Sequence, residues 1–447
     1  MSTTYTVRNI TNSAMRSKTT IVNVDCANLP WIDDNMDSAF MGCTNLKRIY
    51  NINNNVTNMY QTFYRITGFS QIDHIPNSVS DMGFTFAYCR GMTNTVNIPQ
   101  GITNLVGTYQ NCSNIVSIDT NIPNSVTLLD RTFINCNRLT NVEGLPESIT
   151  TMNSTFTSCV NIRNATAIPN SVRIMDSTFS NCINLVNVVI PSNAVSLIST
   201  YYNCRNLVTP PAIPGSVVNL VNTFRYCSNL ASVPTIPNSV VNMSGAFSRC
   251  SKITSTGTIP NSVVNLSRAY QYCENITTVE NISSSTVDLS QTFDSCYRLN
   301  NIGSLVIPNS VVNMAQSFSY CNVLKTAPNI PDSVTNVQGC FQFSYNVEGN
   351  IFIYSNKITN AITFTAMTSS NRKDVYIPYY NSDGKRSATY NAFNSAGYDE
   401  IGTKDTTYLH NLDEYLGEWE FVIDGTNAEI TNYIGNNPDP VVPDEVE

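Results

Sequence analysis

Fourteen cysteines and two histidines are the side chains of this 447-residue chain best suited to nucleophilic or metal chemistry, and their spacing speaks against both. Twelve of the cysteines recur about every 23 residues: Cys43, Cys89, Cys112, Cys136, Cys159, Cys182, Cys204, Cys227, Cys250, Cys273, Cys296 and Cys321. A zinc site needs several ligands converging on one point, whereas this spacing delivers one thiol per repeat and no histidine. A disulfide needs two Cβ vectors that face each other, whereas thiols stacked in one column point the same way. The column therefore reads as small buried hydrophobes, and Cys26 and Cys340, which fall off it, are the two to test for bridging. His74 and His410 stand apart without a partner pattern and read as solvated polar residues. Asp33 with Asp34 and Asp413 with Glu414 are adjacent in sequence, which does not set the separation across a cleft that glycoside hydrolysis requires. No HExxH, CxxC, GxSxG or phosphate-cradling glycine loop occurs, so the chain reads as non-enzymatic, with no cofactor and no metal.

What holds the cysteines is a repeat. Three residues before the thiol stands an aromatic, at Phe40, Phe63, Phe86, Tyr109, Phe133, Phe156, Phe179, Tyr201, Phe224, Phe247, Tyr270, Phe293, Phe318 and Phe341, with Ile66 and Ser344 where the thiol is missing. A Met or Leu precedes the aromatic by four, as at Met59 and Leu105, and a branched residue such as Val56 or Val79 lies three further back. Leu or Ile follows the cysteine by three, and an Ile-Pro pair closes the unit, as at Ile236 and Ile259. Such a fixed period marks a repeat array. Each unit supplies about seven apolar side chains, worth roughly 1.5 to 3 kcal/mol apiece when buried, against about 1 to 2 kcal/mol for every backbone residue ordered. One unit cannot fold alone, so neighbours must share their faces.

The predicted fold is a repeat solenoid of about 15 coils of 23 residues, with short parallel strands and capped ends. Proline fixes φ and lacks a donor, so it belongs at the corners. Strands before it, around Leu230 to Ile236 and the equivalents, are expected to pair in parallel about 4.8 Å apart. Asparagine columns two residues after cysteine (Asn114, Asn161, Asn184) and just before Met or Leu (Asn242, Asn265, Asn313) are expected to satisfy corner backbone groups. The domain organisation read from these patterns is an N-terminal cap over 1–31, the solenoid over 32–367, a C-terminal cap over 368–404 and an acidic appendage over 405–447. In the C-terminal cap, Val375 to Tyr380 read as a strand and Ala388 to Ala396 as a short helix stopped by Gly397. The appendage holds one strand candidate, Trp419 to Ile423.

Net charge is −8, concentrated in residues 405–447, which carry eleven acids and no Lys or Arg. The remainder holds 24 basic against 21 acidic residues, so no basic stripe offers the counterion release on which nucleic-acid binding depends. No stretch is apolar for long enough to span a bilayer. The first thirty residues lack the apolar core of a signal peptide, which leads to the expectation of a protein that stays in its cell or leaves inside a particle.

The position just before the cysteine holds large residues toward the C-terminal half: Tyr226, Arg249, Tyr272, Tyr320 and Phe343, with Tyr88 earlier. Facing outward, such a row stacks on sugar rings or anchors a protein partner; facing inward, it is core. The unit IPNSVVNMSGAFSRCSKIT resembles the BspA-like leucine-rich repeats, over about residues 32 to 367. The segment IPYYNSDGKRSATYNAFNSAGYDEIG is similar to the ending of such arrays in proteins of phages that infect gut bacteria. The resemblance implies a surface adhesin or binding protein. Together with the absent export signal it leads to the expectation of a virion fibre or decoration protein that binds a host-surface glycan or protein and docks on other virion proteins through its acidic appendage. The alternative is a cytosolic leucine-rich-repeat interaction scaffold.

Overall fold

Most repeats open at an Asn or Asp before the Met/Leu column, whose side-chain oxygen accepts the N–H two residues on. Asn58 takes that of Tyr60, Asp81 that of Gly83 and Asn104 that of Val106, each at 2.8 Å. A run of overlapping turns follows. Around Phe63, Thr62 N–H donates to Met59 O, Tyr64 N–H to Gln61 O and Ile66 N–H to Phe63 O, at 3.0 to 3.2 Å. The intervening N–H groups of Met59, Gln61, Phe63 and Arg65 donate instead to Asp81, Gly83, Thr85 and Ala87 of the next repeat, at 2.8 to 2.9 Å. Every donor from Met59 to Ile66 is thereby used, as a buried backbone requires. The first and last of these turns need positive φ at their third residue, and two positions per repeat adopt it: Gln61 (50°) and Arg65 (62°), Ser154 (55°) and Ser158 (61°), Arg268 (57°) and Tyr272 (59°).

These contacts are those of a computed structural model that describes residues 15–28, 34–118, 122–300, 302, 305–365, 373–399, 407–412, 419–424 and 427–433, the last two stretches as backbone. Repeats of about 23 residues form a parallel solenoid of about 14 turns. The chain divides into two compact units, Met1–Val240 and Val241–Glu447. Both are built on the same bridge column, Asn35, Asn58, Asp81, Asn104, Leu128, Thr151, Ile174, Ser196 and Asn219 in the first, Asn242, Asn265, Asp288, Asn313, Asn336 and Asn360 in the second.

Longer ladders are few. In unit 1, β1 (Asn23–Asp25), β2 (Arg48–Tyr50) and β3 (Gln71–Ile72) pair in parallel, as do β4 (Asn164–Ala165) and β5 (Asn187–Val188). Around Leu230 to Ile236 the expected strand is missing. Pro234 and Pro237 there, and Pro210 and Pro211 one repeat earlier, lack the N–H a ladder needs; together they line a cleft of about 310 Å³.

The aromatic column is the centre of both cores. From Phe40 to Phe224 consecutive rings stand 5.5 to 6.1 Å apart and within 18° of parallel. From Phe247 to Phe341 they stand 5.5 to 5.9 Å apart and within 20°. All are buried. In unit 2 Phe364 ends the column by turning edge-on to Phe341, at 86°. The weak last coil counted from the sequence therefore shares its aromatic with the cap; Met367 lies outside the described residues.

The cap consists of β6 (Gly349–Phe352), β7 (Lys373–Ile377), α1 (Ala388–Ser395) and β8 (Thr407–Asn411), with β6, β7 and β8 adjacent and parallel. Ser387 caps α1, its hydroxyl accepting Tyr390 N–H at 3.0 Å, and Gly397 follows at φ 87°. Phe393 of α1 meets Phe364 edge-on at 5.1 Å, closing the apolar end of the column. Strand β8, which sequence reading places in the acidic appendage, is the edge of this sheet; beyond it β9 (Trp419–Asp424) and β10 (Asn427–Tyr433) form an antiparallel hairpin. The terminal NPDPVVPDEVE lies outside the described residues.

Removing one ring from mid-column creates a cavity that stacked backbones cannot collapse into. Phe156→Ala is expected to lower unfolding free energy by about 3 to 5 kcal/mol, read as a shift in the urea midpoint.

Candidate functional site

The thiols fill a structural role. All fourteen are free and buried, Cys26 and Cys340 included. Along the column Sγ points at the carbonyl of the aromatic one repeat back, as in Cys89 to Phe63 O, Cys112 to Phe86 O, Cys159 to Phe133 O, Cys182 to Phe156 O and Cys273 to Phe247 O, at 2.9 to 3.1 Å; Cys43, at the start, points at Met15 O instead. Ser344, where the thiol is absent, donates to Phe318 O in the same way at 2.6 Å. The column thus supplies a small hydrogen-bond donor as well as a hydrophobe. Burial pushes the Cys26, Cys112 and Cys227 thiols up to about 12, and Cys89, Cys182 and Cys204 well above the usual thiol range. They are protonated at neutral pH and are neither nucleophiles nor ligands.

A threonine column just before the aromatic works alongside them. Thr85 Oγ1 reaches Met59 O and Met82 O at 2.8 Å, and Thr178 reaches Met152 O and Met175 O at 2.7 Å, each clamping two successive repeats. The amides after cysteine close corners as expected, Asn114 Nδ2 to Arg90 O at 2.7 Å and Asn161 Nδ2 to Asn137 O at 2.8 Å.

Both histidines have carboxylate partners that the sequence did not reveal. His74 Nδ1 lies 3.1 Å from Asp73 Oδ1 on the rim of a cleft of about 310 Å³, but Asp73 is already held by the N–H groups of Asn51 and His74. His410 Nε2 bonds Asp374 Oδ1 at 2.7 Å while its ring stacks on Tyr376, which stacks on Phe352, pinning β8 to β7 and β6. Among the described residues no group of His, Cys, Asp and Glu can hold a metal ion; Asp33, Asp413 and Glu414 lie outside them.

The large residues before cysteine occupy the second positive-φ position, at the outer surface: Tyr226 at 66°, Arg249 at 65°, Tyr272 at 59°, Tyr320 at 55° and Phe343 at 59°. Tyr320 is exposed and the other four are half-buried. In unit 1, Tyr226 packs edge-on against Tyr202 at 5.3 Å with the Arg225 guanidinium 5.4 Å from its ring. In unit 2, the Arg249 guanidinium sits 4.0 Å from the Tyr272 ring centre, and Tyr320 packs at 4.6 Å and a tilt of 32° against Phe343, which meets Tyr345 at 6.3 Å. Ser295, between Tyr272 and Tyr320 in the column, is the one small member among the described residues of unit 2.

Beneath this row runs a polar floor that sequence reading missed. The position after the aromatic holds Ser248, Gln271, Asp294, Ser319 and Gln342. Gln271 Nε2 donates to Asp294 Oδ2 at 2.9 Å and Ser295 Oγ to Asp294 Oδ1 at 3.1 Å. Burial raises the Asp294 carboxyl above its ordinary range, against the lowering effect of those donors and of Arg249. The signal was available as a run of polar residues at one repeat position, but it lies next to buried phenylalanines and reads as loop.

Turn-linked repeats bridged in parallel, one aromatic deep, define a leucine-rich-repeat solenoid. A family model, the BspA-type leucine-rich repeat region, matches residues 1–116, 106–230 and 220–348, and the chain belongs to that family. Among solved structures it is similar to a leucine-rich repeat protein from Bacteroides ovatus, at 19% identity and a TM-score of 0.50, covering 91% of this chain and 94% of that one. It also matches a leucine-rich cell surface protein from Faecalibacterium prausnitzii, at 21% identity and a TM-score of 0.40, covering 65% and 82%. A comparison with curated proteins returned no match. At these identities the likeness concerns the fold.

The thiol column makes stability depend on pH. Above the ordinary thiol value of 9.0 the unfolded chain releases protons that the folded chain retains. Stability is therefore complete below about pH 8 and declines at higher pH, by about 1.4 kcal/mol per pH unit for each fully protected thiol. Denaturation midpoints are expected to fall from pH 8 to pH 10. Cys182→Ser should reduce that slope while retaining the bond to Phe156 O, and Cys182→Ala should lose about 1 kcal/mol more at pH 7.

Proposed function

We propose that this chain is a non-enzymatic binding protein of a phage virion, a fibre or decoration whose repeats hold a recognition surface rigid and whose acidic C-terminal segment docks on other virion proteins. The observation that carries the binding reading is the Arg249, Tyr272, Tyr320 and Phe343 row, held at the surface by a backbone in which every turn is tied to its neighbour. Leucine-rich repeats of this family form binding scaffolds, and the chemistry for catalysis is missing from the thiol and histidine sites described above. The placement on a virion is supported by the likeness of the 377–402 segment to the endings of phage-encoded arrays, and by a surface dominated by Asn, Ser and Thr with 13% charged residues. A core of fourteen buried, unbridged cysteines fits folding in a reducing cytoplasm. That observation favours equally the second reading, a cytosolic interaction scaffold.

Particles purified from a lysate of a strain carrying the gene should contain the protein by mass spectrometry, and its absence would sink the virion reading. Because β8 belongs to the cap, the informative deletion removes 413–447: particle incorporation should be lost while the melting temperature changes little. Recovery of the chain in a stable complex with a cytosolic protein, and not in particles, would instead establish the scaffold.

A further inference from the structure

The second positive-φ position is where side-chain choice and backbone preference can be compared repeat by repeat. The turn favours Gly or Asn there, because other residues crowd their own carbonyl when φ is positive. In unit 1 Gly42, Asn111, Asn135, Asn181 and Asn203 comply, while Arg65, Tyr88, Ser158 and Tyr226 depart. Unit 2 holds Arg249, Tyr272, Ser295, Tyr320 and Phe343. Bulky residues in a conformation that strains them point from the outlier to a role for the side chain.

We infer that this row in unit 2 is a binding site for an extended, uncharged glycan, a reading that rests on the binding-protein function proposed above and names its ligand class. Three features select a glycan. Successive positions rise by about 4.8 Å, so Tyr272 and Tyr320, on either side of Ser295, lie about two coils or roughly 10 Å apart, a separation suited to alternate rings of an extended sugar chain. Arg249 covers one face of Tyr272 and Phe343 packs against one side of Tyr320, so each ring is held in place and has one face left for the C–H face of a pyranose. The floor beneath is hydrogen-bonding: Gln271, Asp294 and Ser295, and the Ser248 hydroxyl, fully buried and without a hydrogen-bond partner among the described residues. A protein hot spot would instead set its aromatics over an apolar, desolvated core.

The test is affinity electrophoresis of the full chain through gels containing soluble hydroxyethylcellulose, arabinoxylan, glucomannan or galactomannan. At least one of these should retard the native protein. Tyr320→Asn and Tyr272→Asn should each weaken that binding about tenfold or more with an unchanged or raised melting temperature, since asparagine suits the turn. Asp294→Asn, which keeps shape and loses charge, should weaken it by a smaller factor. The inference is overturned by no retardation in any gel, by binding that survives both tyrosine substitutions, or by a marked loss of melting temperature in Tyr320→Asn. Capture of a protein by the native chain and not by Tyr320→Asn, with no retardation by polysaccharide, would overturn the glycan and leave the binding-protein reading standing.

Discussion

The alternation of backbone donors along each arc is what the rest of the molecule depends on. One N–H closes a turn within the repeat and the next reaches the carbonyl of the repeat that follows, as from Met59 to Ile66. A slip of one residue would exchange the two sets and leave both without partners, so register is set by the backbone and every side chain falls above its counterpart. Columns follow from that. A ring centred on the arc meets only rings, and the phenylalanine stack is the consequence of the ladder as much as its support.

The same constraint explains the less obvious columns. Inside the arc, the carbonyl of each Met or Leu and each aromatic accepts one backbone donor and retains a second lone pair facing a dry interior. The threonine hydroxyl serves the first and the cysteine thiol the second. Both must be small enough to fit between successive rings, which is why Ser344 can replace cysteine with the bond intact. In the repeat of Phe63 the position is Ile66, which has no donor to offer, and the column tolerates it because the aromatic carbonyl keeps its backbone partner.

How much of this was legible depended on whether a residue type is distinctive. Phenylalanine and cysteine at one spacing are rare enough to announce the repeat, and with it the solenoid. The threonine column was hidden because Ala39, Ala246, Ala269, Ser317 and Cys340 interrupt it and threonine is common elsewhere. The turn positions were hidden because polar and aromatic residues, where glycine would have marked them, occupy positive φ. Proline placed the corners correctly yet misled about strands: at Pro210, Pro211 and Pro234 it removes the donors that the expected ladder required. Strand β8 was assigned to the wrong side of a boundary because acidic composition, read over a long window, obscured the buried Leu409 and the His410 to Asp374 bond. The row at Arg249 to Phe343 was visible as large residues at one phase, but its orientation was left open, since periodicity alone does not distinguish core from surface.

That orientation gives the row its meaning. In a solenoid whose interior columns are dictated by packing, outer positions are free to follow backbone preference, and in unit 1 this one does so at Gly42, Asn111, Asn135, Asn181 and Asn203. Where it does not, the large residues come in groups, Arg65 with Tyr64 and Tyr88 near one end and Tyr226 with Tyr202 and Arg225 further on, so the departures are clustered and always pair a cation with rings. Unit 2 carries the longest such group, and there the position after the aromatic is polar in every repeat, Ser248, Gln271, Asp294, Ser319 and Gln342, with the one carboxylate of that column, whereas unit 1 mixes Gln110, Thr157 and Ser180 with Met41, Ala87 and Ile134. Packing requires neither change, since alanine and isoleucine fill the same column elsewhere. Two adjacent columns that depart from local preference together, over the same repeats, indicate a surface shaped by what it contacts.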